Sequence, residues 1–318
     1  MPMLASPYAL MMALGSGLAS AVLFASVIAG TTLALPLFMM SALPIVIAAL
    51  GWGTRAGILA SIVAGAVVAA GLTGLSAASY LANIAFPAVV ASHLIGLART
   101  EGDHVEWYPL GRVLVASALI MAVLAVIIGS VYGYAPEGML PRLAGMFAEM
   151  SRAPGDTTPI ETLRVQYEPV ARLTLRMLPV VIPIVSTVVL VLNLWLGAKV
   201  VARSDRLARP WEDLSAVRAP GRLGVAYGVA VAGTALPDPI GLFAGPFFGA
   251  LSAVYTLIGL AVIHNVTRGA GPRPIVLATV YGLLFLIPFA ALVPILIGLL
   301  DPVFKFRDRR RNGPPAAT

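Results

Sequence analysis

The stretch Ala244–Arg268, AGPFFGALSAVYTLIGLAVIHNVTR, runs for more than twenty residues without a charge and then stops at His264, Asn265 and Arg268. At about 1.5 Å of rise per residue, roughly 20 apolar residues cross the hydrocarbon core of a bilayer. A helix apolar on every face needs lipid or a large core around it. Similar stretches recur along the whole chain. With 59% hydrophobic and only 11% charged residues in 318, the chain has too little polar surface for a soluble domain, which carries about 25% charged residues. The reading is an all-α, polytopic transmembrane helical bundle of about eight spans, ten at most. One domain covers 1–304, and a basic tail, 305–318, is predicted to be disordered.

Cys is absent, which excludes disulfides, Fe–S clusters and thiolate metal sites. The net charge of +7 sits mostly at span ends. There it governs orientation and contact with anionic lipid, and it predicts the bilayer rather than nucleic acid as partner. No Lys or Arg precedes the first apolar segment, so that segment reads as a retained span rather than a secretory signal.

The first span, Ala9–Gly30, repeats small residues every four positions at Ala13, Gly17, Ala21, Ala25 and Ala29. In lipid, such a stripe lets backbones approach closely. It serves either packing within the chain, with the similar stripe Gly57, Ser61, Gly65 and Ala69 in the third span, or docking of another subunit. Pro36 and Pro44 predict a bent second span, Leu33–Leu50. The fourth, Ala78–Ala98, holds Asn83 and His93, and a wet loop, Arg99–Arg112, follows. The fifth is Val113–Tyr132.

The polar insert, Tyr134–Arg176, shows apolar residues at helical spacing from Met139 to Met150, which predicts a short interfacial helix. Pro154-Gly155-Asp156 breaks it. Thr158-Pro159-Ile160-Glu161 reads as a capping box for a second helix. That helix should pair Arg164 with Glu168, kink at Pro169 and run on into the sixth span, Met177–Val201. Arg203–Arg222 is the most basic internal loop. A seventh span, Leu223–Leu236, is short, and Asp238 after it reads as a cap on the eighth. The last apolar stretch, Ile275–Leu300, is interrupted by Pro288 and Pro294.

Nine simple spans would divide the 21 Lys and Arg eleven to ten across the membrane, which is no bias. Placing the tail on the side of the Arg203–Arg222 loop leaves only Arg142, Arg152, Arg164, Arg172 and Arg176 on the other. The positive-inside rule selects the second arrangement, with an even crossing number and both termini cytoplasmic. Either the seventh span or Ile275–Leu300 must then fail to cross, or cross twice.

Three patches resemble the YybS-like family of bacterial membrane proteins: Leu192-Asn193-Leu194 with Lys199 and Arg203; Gly259–His264; and Leu299-Leu300-Asp301 followed by Phe304-Lys305-Phe306-Arg307. The resemblance implies a multi-pass protein of the bacterial plasma (inner) membrane. That family is distantly similar to the substrate-binding subunits of energy-coupling-factor transporters. Their first helix docks a transmembrane coupling subunit, which works with ATPases, through an Ala-xxx-Ala stripe. Gly17, Ala21, Ala25 and Ala29 would hold that position here.

HExxH, P-loop, GxSxG and dinucleotide motifs are absent, so the sequence predicts no enzyme, no cofactor and no metal site. Polar residues inside spans are costly and mark either function or helix–helix hydrogen bonds. They are Asn83, His93, Asn193, His264 and Asn265. His93 and His264 each precede a basic span end by a turn or two, so they either cap carbonyls or share a substrate-binding pocket with Asn193. Two functions stay open: a small-molecule binding or transport subunit, and a non-catalytic membrane scaffold or assembly factor.

Overall fold

The computed structural model describes residues 6–132, 138–153, 155 and 157–311. The first residues of the insert, 134–137, Pro154 and Asp156 of its expected break, and 312–318 of the tail lie outside them. The described chain is almost entirely helical. Seven helices are long and apolar enough to cross a membrane, and three shorter apolar ones accompany them. They form the all-α membrane bundle that the hydropathy requires.

Helix α1, Pro7–Ala25, packs on α4, Thr54–Gly71. Ala9, Ala13, Gly17 and Ala21 are buried along the stripe. A methyl group at Gly17 would stand 2.6 Å from the carbonyl oxygen of Ala60. Ala21 clusters with Ala64 and Val68 of the same chain. The stripe therefore belongs to the bundle as far as Ala21. Ala25 is half-buried, and Ala29, expected to continue the row, lies exposed in a 3-10 turn after the helix has ended.

The second span is broken rather than bent, into α2, Ala34–Met39, and α3, Leu43–Trp52. Pro44 lacks an N–H, so the helical ladder cannot run through this point. Side chains from elsewhere satisfy the freed carbonyls. Asn193 donates to Met39 O at 2.8 Å. The Ser20 hydroxyl donates to Ser41 O and accepts from Tyr80, 2.6 Å away. The fourth span is α5, Gly74–Tyr80, a π-helical turn, Leu81–Ala85, and α6, Phe86–Ile95. The loop after it forms a hairpin of β1, Ala98–Glu101, and β2, His104–Trp107, turning at Gly102 with φ +60.

Helix α7, Leu110–Tyr132, leads towards α8, Met139–Ser151, which packs along α9, Ile160–Arg203. Helix α9 has 44 residues, so at about 1.5 Å per residue it is roughly twice as long as a bilayer core is thick. Its first half therefore stands beyond the far end of the bundle. There α8 buries Ala144 and Ala148 and exposes Met146 and Met150, a hairpin partner rather than a helix lying alone. Pro159 is the cap residue of α9, with no side-chain cap bond, so the expected capping box does not form. Arg164 pairs with Glu161, one turn back, and Glu168 with Arg172.

Helices α10, Leu223–Thr234, and α11, Ile240–Val266, follow. Pro239 rather than Asp238 holds the cap position of α11. Helix α11 is the hub, packing against α7, α9, α10 and the helix at Leu292–Phe304. The last apolar stretch is divided into α12, Arg273–Leu286, a 3-10 turn and α13, Leu292–Phe304. A short helix, α14, spans Phe306–Arg311, so the tail is ordered this far.

One end of the bundle gathers the basic elements. Arg206 covers the rings of Tyr8 and Trp52 at 5.5 and 4.9 Å. Arg209 donates to Tyr108 O, and Arg218 pairs with Asp308 of α14. Arg268, just before α12, bonds Asp213, while Arg307, just after α13, bonds Ser215 O and Val217 O. Both ends of the last apolar stretch thus meet the same loop. The chain leaves this face along α12, which buries none of its residues, and returns to it along α13, packed on α11, which brings the tail to the face of the basic loop.

Candidate functional site

Beneath residues 207–217 of the basic loop lies a cavity of about 550 Å³. Helix α7 lines it from Leu110 to Ser117, α9 from Val191 to Ala198, and α11 from Leu257 to His264. Each helix contributes two turns, so the cavity is about 10 Å deep. Its inner wall is apolar, with Leu114, Val191, Leu194 and Leu257. Its outer end carries Arg209, Arg268, Arg273, His264 and the aromatic rings of Trp195, Trp211 and Tyr281. The size is that of a small-molecule site.

The loop is held over this space as a strap. Pro210 follows a buried Arg209, whose guanidinium bonds Glu212 Oε1 and Tyr108 O, the latter at 2.7 Å. Asp213 caps the turn Leu214–Ala216 by accepting from Ser215 N at 3.0 Å. Arg268 donates to Asp213 Oδ2 at 2.7 Å and to Ser215 Oγ at 3.1 Å. Hydrogen bonds from Ser215 and the Arg268 guanidinium hold the Asp213 carboxyl below the usual carboxylate range. At the strap's far end, Gly111 at the start of α7 lies directly against Arg218 O, and no side chain fits between them.

Of the residues singled out in the sequence, His264 and Asn265 come to this site. His264 lines the cavity, its Nδ1 bonded to Leu260 O at 2.9 Å and its ring 5.8 Å from that of Tyr281. With Nδ1 donating, Nε2 is the acceptor of the neutral ring. Asn265 donates to Ser215 Oγ at 3.3 Å and holds the strap. The structure does not bring His93, Asn193 and Asn83 to them. His93 is exposed and bonded to Thr54 at 2.9 Å, Asn193 closes the α2–α3 break, and Asn83 bonds Ser79 O on its own helix. Among the described residues, no three His, Asp or Glu side chains cluster as metal ligands do.

Sequence reasoning missed the strap. The loop's excess of cations hides Glu212 and Asp213 among them. Two acids in adjacent positions within a basic segment were the available signal for internal pairing.

Neither a curated protein nor a solved structure matches the chain. A family model described as "Predicted membrane protein (DUF2232)" matches residues 9–302, from the first turn of α1 to the end of α13, and so takes in every wall of the cavity. The chain belongs to that family of membrane proteins.

Proposed function

We propose that this membrane protein is a small-molecule binding or transport component, with its ligand held in the cavity under the strap. The cavity carries this reading: an apolar recess with convergent polar groups at its mouth is the form that small-molecule sites take. The resemblance in sequence to a family that is distantly similar to substrate-binding subunits of energy-coupling-factor transporters points the same way, but docking of a coupling subunit through Ala21 does not fit, because that residue is buried within the chain. The basic face belongs in the bacterial cytoplasm by the positive-inside rule, which places both termini there. A second reading, a scaffold or assembly factor, draws on the α8–α9 hairpin. It stands beyond the bundle and exposes Met146, Met150, Val165 and Leu173.

Native mass spectrometry of the detergent-extracted protein tests the first reading. The wild type should retain a bound small molecule, and Ala261→Phe, which fills the cavity from α11, should lose it while unfolding at a similar temperature. An adduct equally present on both proteins, or on neither, contradicts the proposal.

A further inference from the structure

The cavity's charges do not balance. Its mouth carries Arg209, Arg268 and Arg273 against Glu212 and Asp213. Arg209 is matched by Glu212 and Arg268 by Asp213. Among the described residues Arg273 has no carboxylate partner, although it is half-buried and lines the cavity. A cation in a partly desolvated apolar recess is costly without a counter-charge. Beside it are His264, whose Nε2 has no partner among the described residues, and the phenol of Tyr281. All three lie at the mouth, while the wall two turns deeper offers Leu114, Val191, Leu194 and Leu257.

The supports of Arg273 differ from those of the other two cations. It is the first residue of α12, a helix that buries none of its residues. The ring contact between Tyr281 and His264 joins that helix to α11. The wall formed by α12 is thus the least packed side of the cavity, and it is the side that brings the unmatched charge. A long apolar chain can leave the recess beside α12 into the bilayer, while its head stays at the depth of the strap.

Building on the reading of the cavity as a binding site, we propose that its ligand is an anionic amphiphile, a phosphate or carboxylate head on an apolar chain, and that Arg273 receives the head. The apolar wall takes the first part of the chain, and the Tyr281 phenol donates a hydrogen bond to the head. Arg209 and Arg268 fasten the strap and stay with their own carboxylates.

The test is a native mass spectrometry titration of the full chain in detergent with dioleoylphosphatidylglycerol, dioleoylphosphatidylcholine and inorganic phosphate. Cavity binding is defined as binding that Ala261→Phe removes. A hydrogen-bonded charge pair is worth roughly ten- to a hundred-fold in affinity. The wild type should prefer the anionic lipid by that factor. Arg273→Gln should reduce the preference to within about twofold, weakening phosphatidylglycerol binding more than phosphatidylcholine binding, and Arg273→Lys should keep most of it. Millimolar inorganic phosphate should not displace the lipid. A preference that survives Arg273→Gln overturns the proposal, as does displacement by inorganic phosphate, which would mark a free-anion site. Equal cavity binding of the two lipids overturns the head-group assignment while leaving the binding reading intact. No binding sensitive to Ala261→Phe overturns both.

Discussion

Replacing Asp301 with Ala is expected to cost about 3–5 kcal/mol and to release the tail from the strap. Asp301 and Arg307 are 3% and 5% exposed. Arg307 gives Nε and Nη2 to Asp301 Oδ2 at 3.0 and 2.6 Å, and Nη1 to Ser215 O and Val217 O. Removing the carboxylate leaves a buried guanidinium with two carbonyl acceptors and no counter-charge. Removing one partner of such a pair costs far more than the pair itself is worth. The exposed pair Arg218–Asp308 sets the scale, because a pair in solvent contributes at most about 1 kcal/mol. Thermal unfolding followed by tryptophan fluorescence should show a large drop for Asp301→Ala and little change for Arg218→Ala. Limited proteolysis should then cut near Lys305 in the Asp301 variant alone. Equal midpoints for the two variants would show that the tail is not anchored as described.

The second large effect is at the crossing of α11 and α13. A methyl group added at Gly259 would fall on the backbone of Pro294, and one at Gly298 would stand 2.6 Å from Tyr255 O. Both obstacles are backbone, so no side chain can swing aside. Helix propensity favours Gly→Ala by about 1 kcal/mol, whereas forced overpacking costs about 1–3 kcal/mol or more. In lipid the contact rests on dispersion at short range, which separation of the helices forfeits. Because the clash is with backbone, the overpacking cost falls at the upper end of that range, and Gly259→Ala should destabilise the protein by a net of about 2 kcal/mol. Gly228→Ala on α10, where nothing lies within 4 Å, should be neutral or stabilising. A neutral Gly259→Ala would mean that α13 does not seat against the hub helix.

The bundle itself was legible because apolar length and small-residue spacing are local properties of a sequence. The stripe from Ala13 to Ala21 and the continuity of the insert with the sixth span are of this kind. Charge distribution went further, since it asked either the seventh span or Ile275–Leu300 to fail to cross or to cross twice, and the two ends of the latter stretch lie against the same loop. Other features depend on partners distant in sequence. Asn193 reads alike as a ligand group or as a support, and only its position opposite the α2–α3 break decides between them. Arg164 had two acids within reach, Glu161 and Glu168, and took the nearer one. Ala29 fits the stripe's spacing, but the helix that would have carried it stops at Ala25. Of the site, His264 was visible as a polar residue in an apolar span. Arg273 was not, because its distinction lies in lacking the carboxylate that each neighbouring Arg has.

One face of the bundle gathers the strap, the start of α12 and the tail, and only in that arrangement does the last apolar stretch return and Arg273 reach the cavity. The chain has no native Cys, so single thiols introduced at Arg222, Gly271, Arg309 and Glu161 each report one location. Labelling with a membrane-impermeant maleimide in intact and permeabilised cells should mark the Glu161 position in intact cells. The positions at Arg222, Gly271 and Arg309 should react together, and only after permeabilisation. Labelling of Gly271 and Arg309 from opposite sides would mean that residues 273–304 cross once, and it would contradict both the fold of this face and the site built on it.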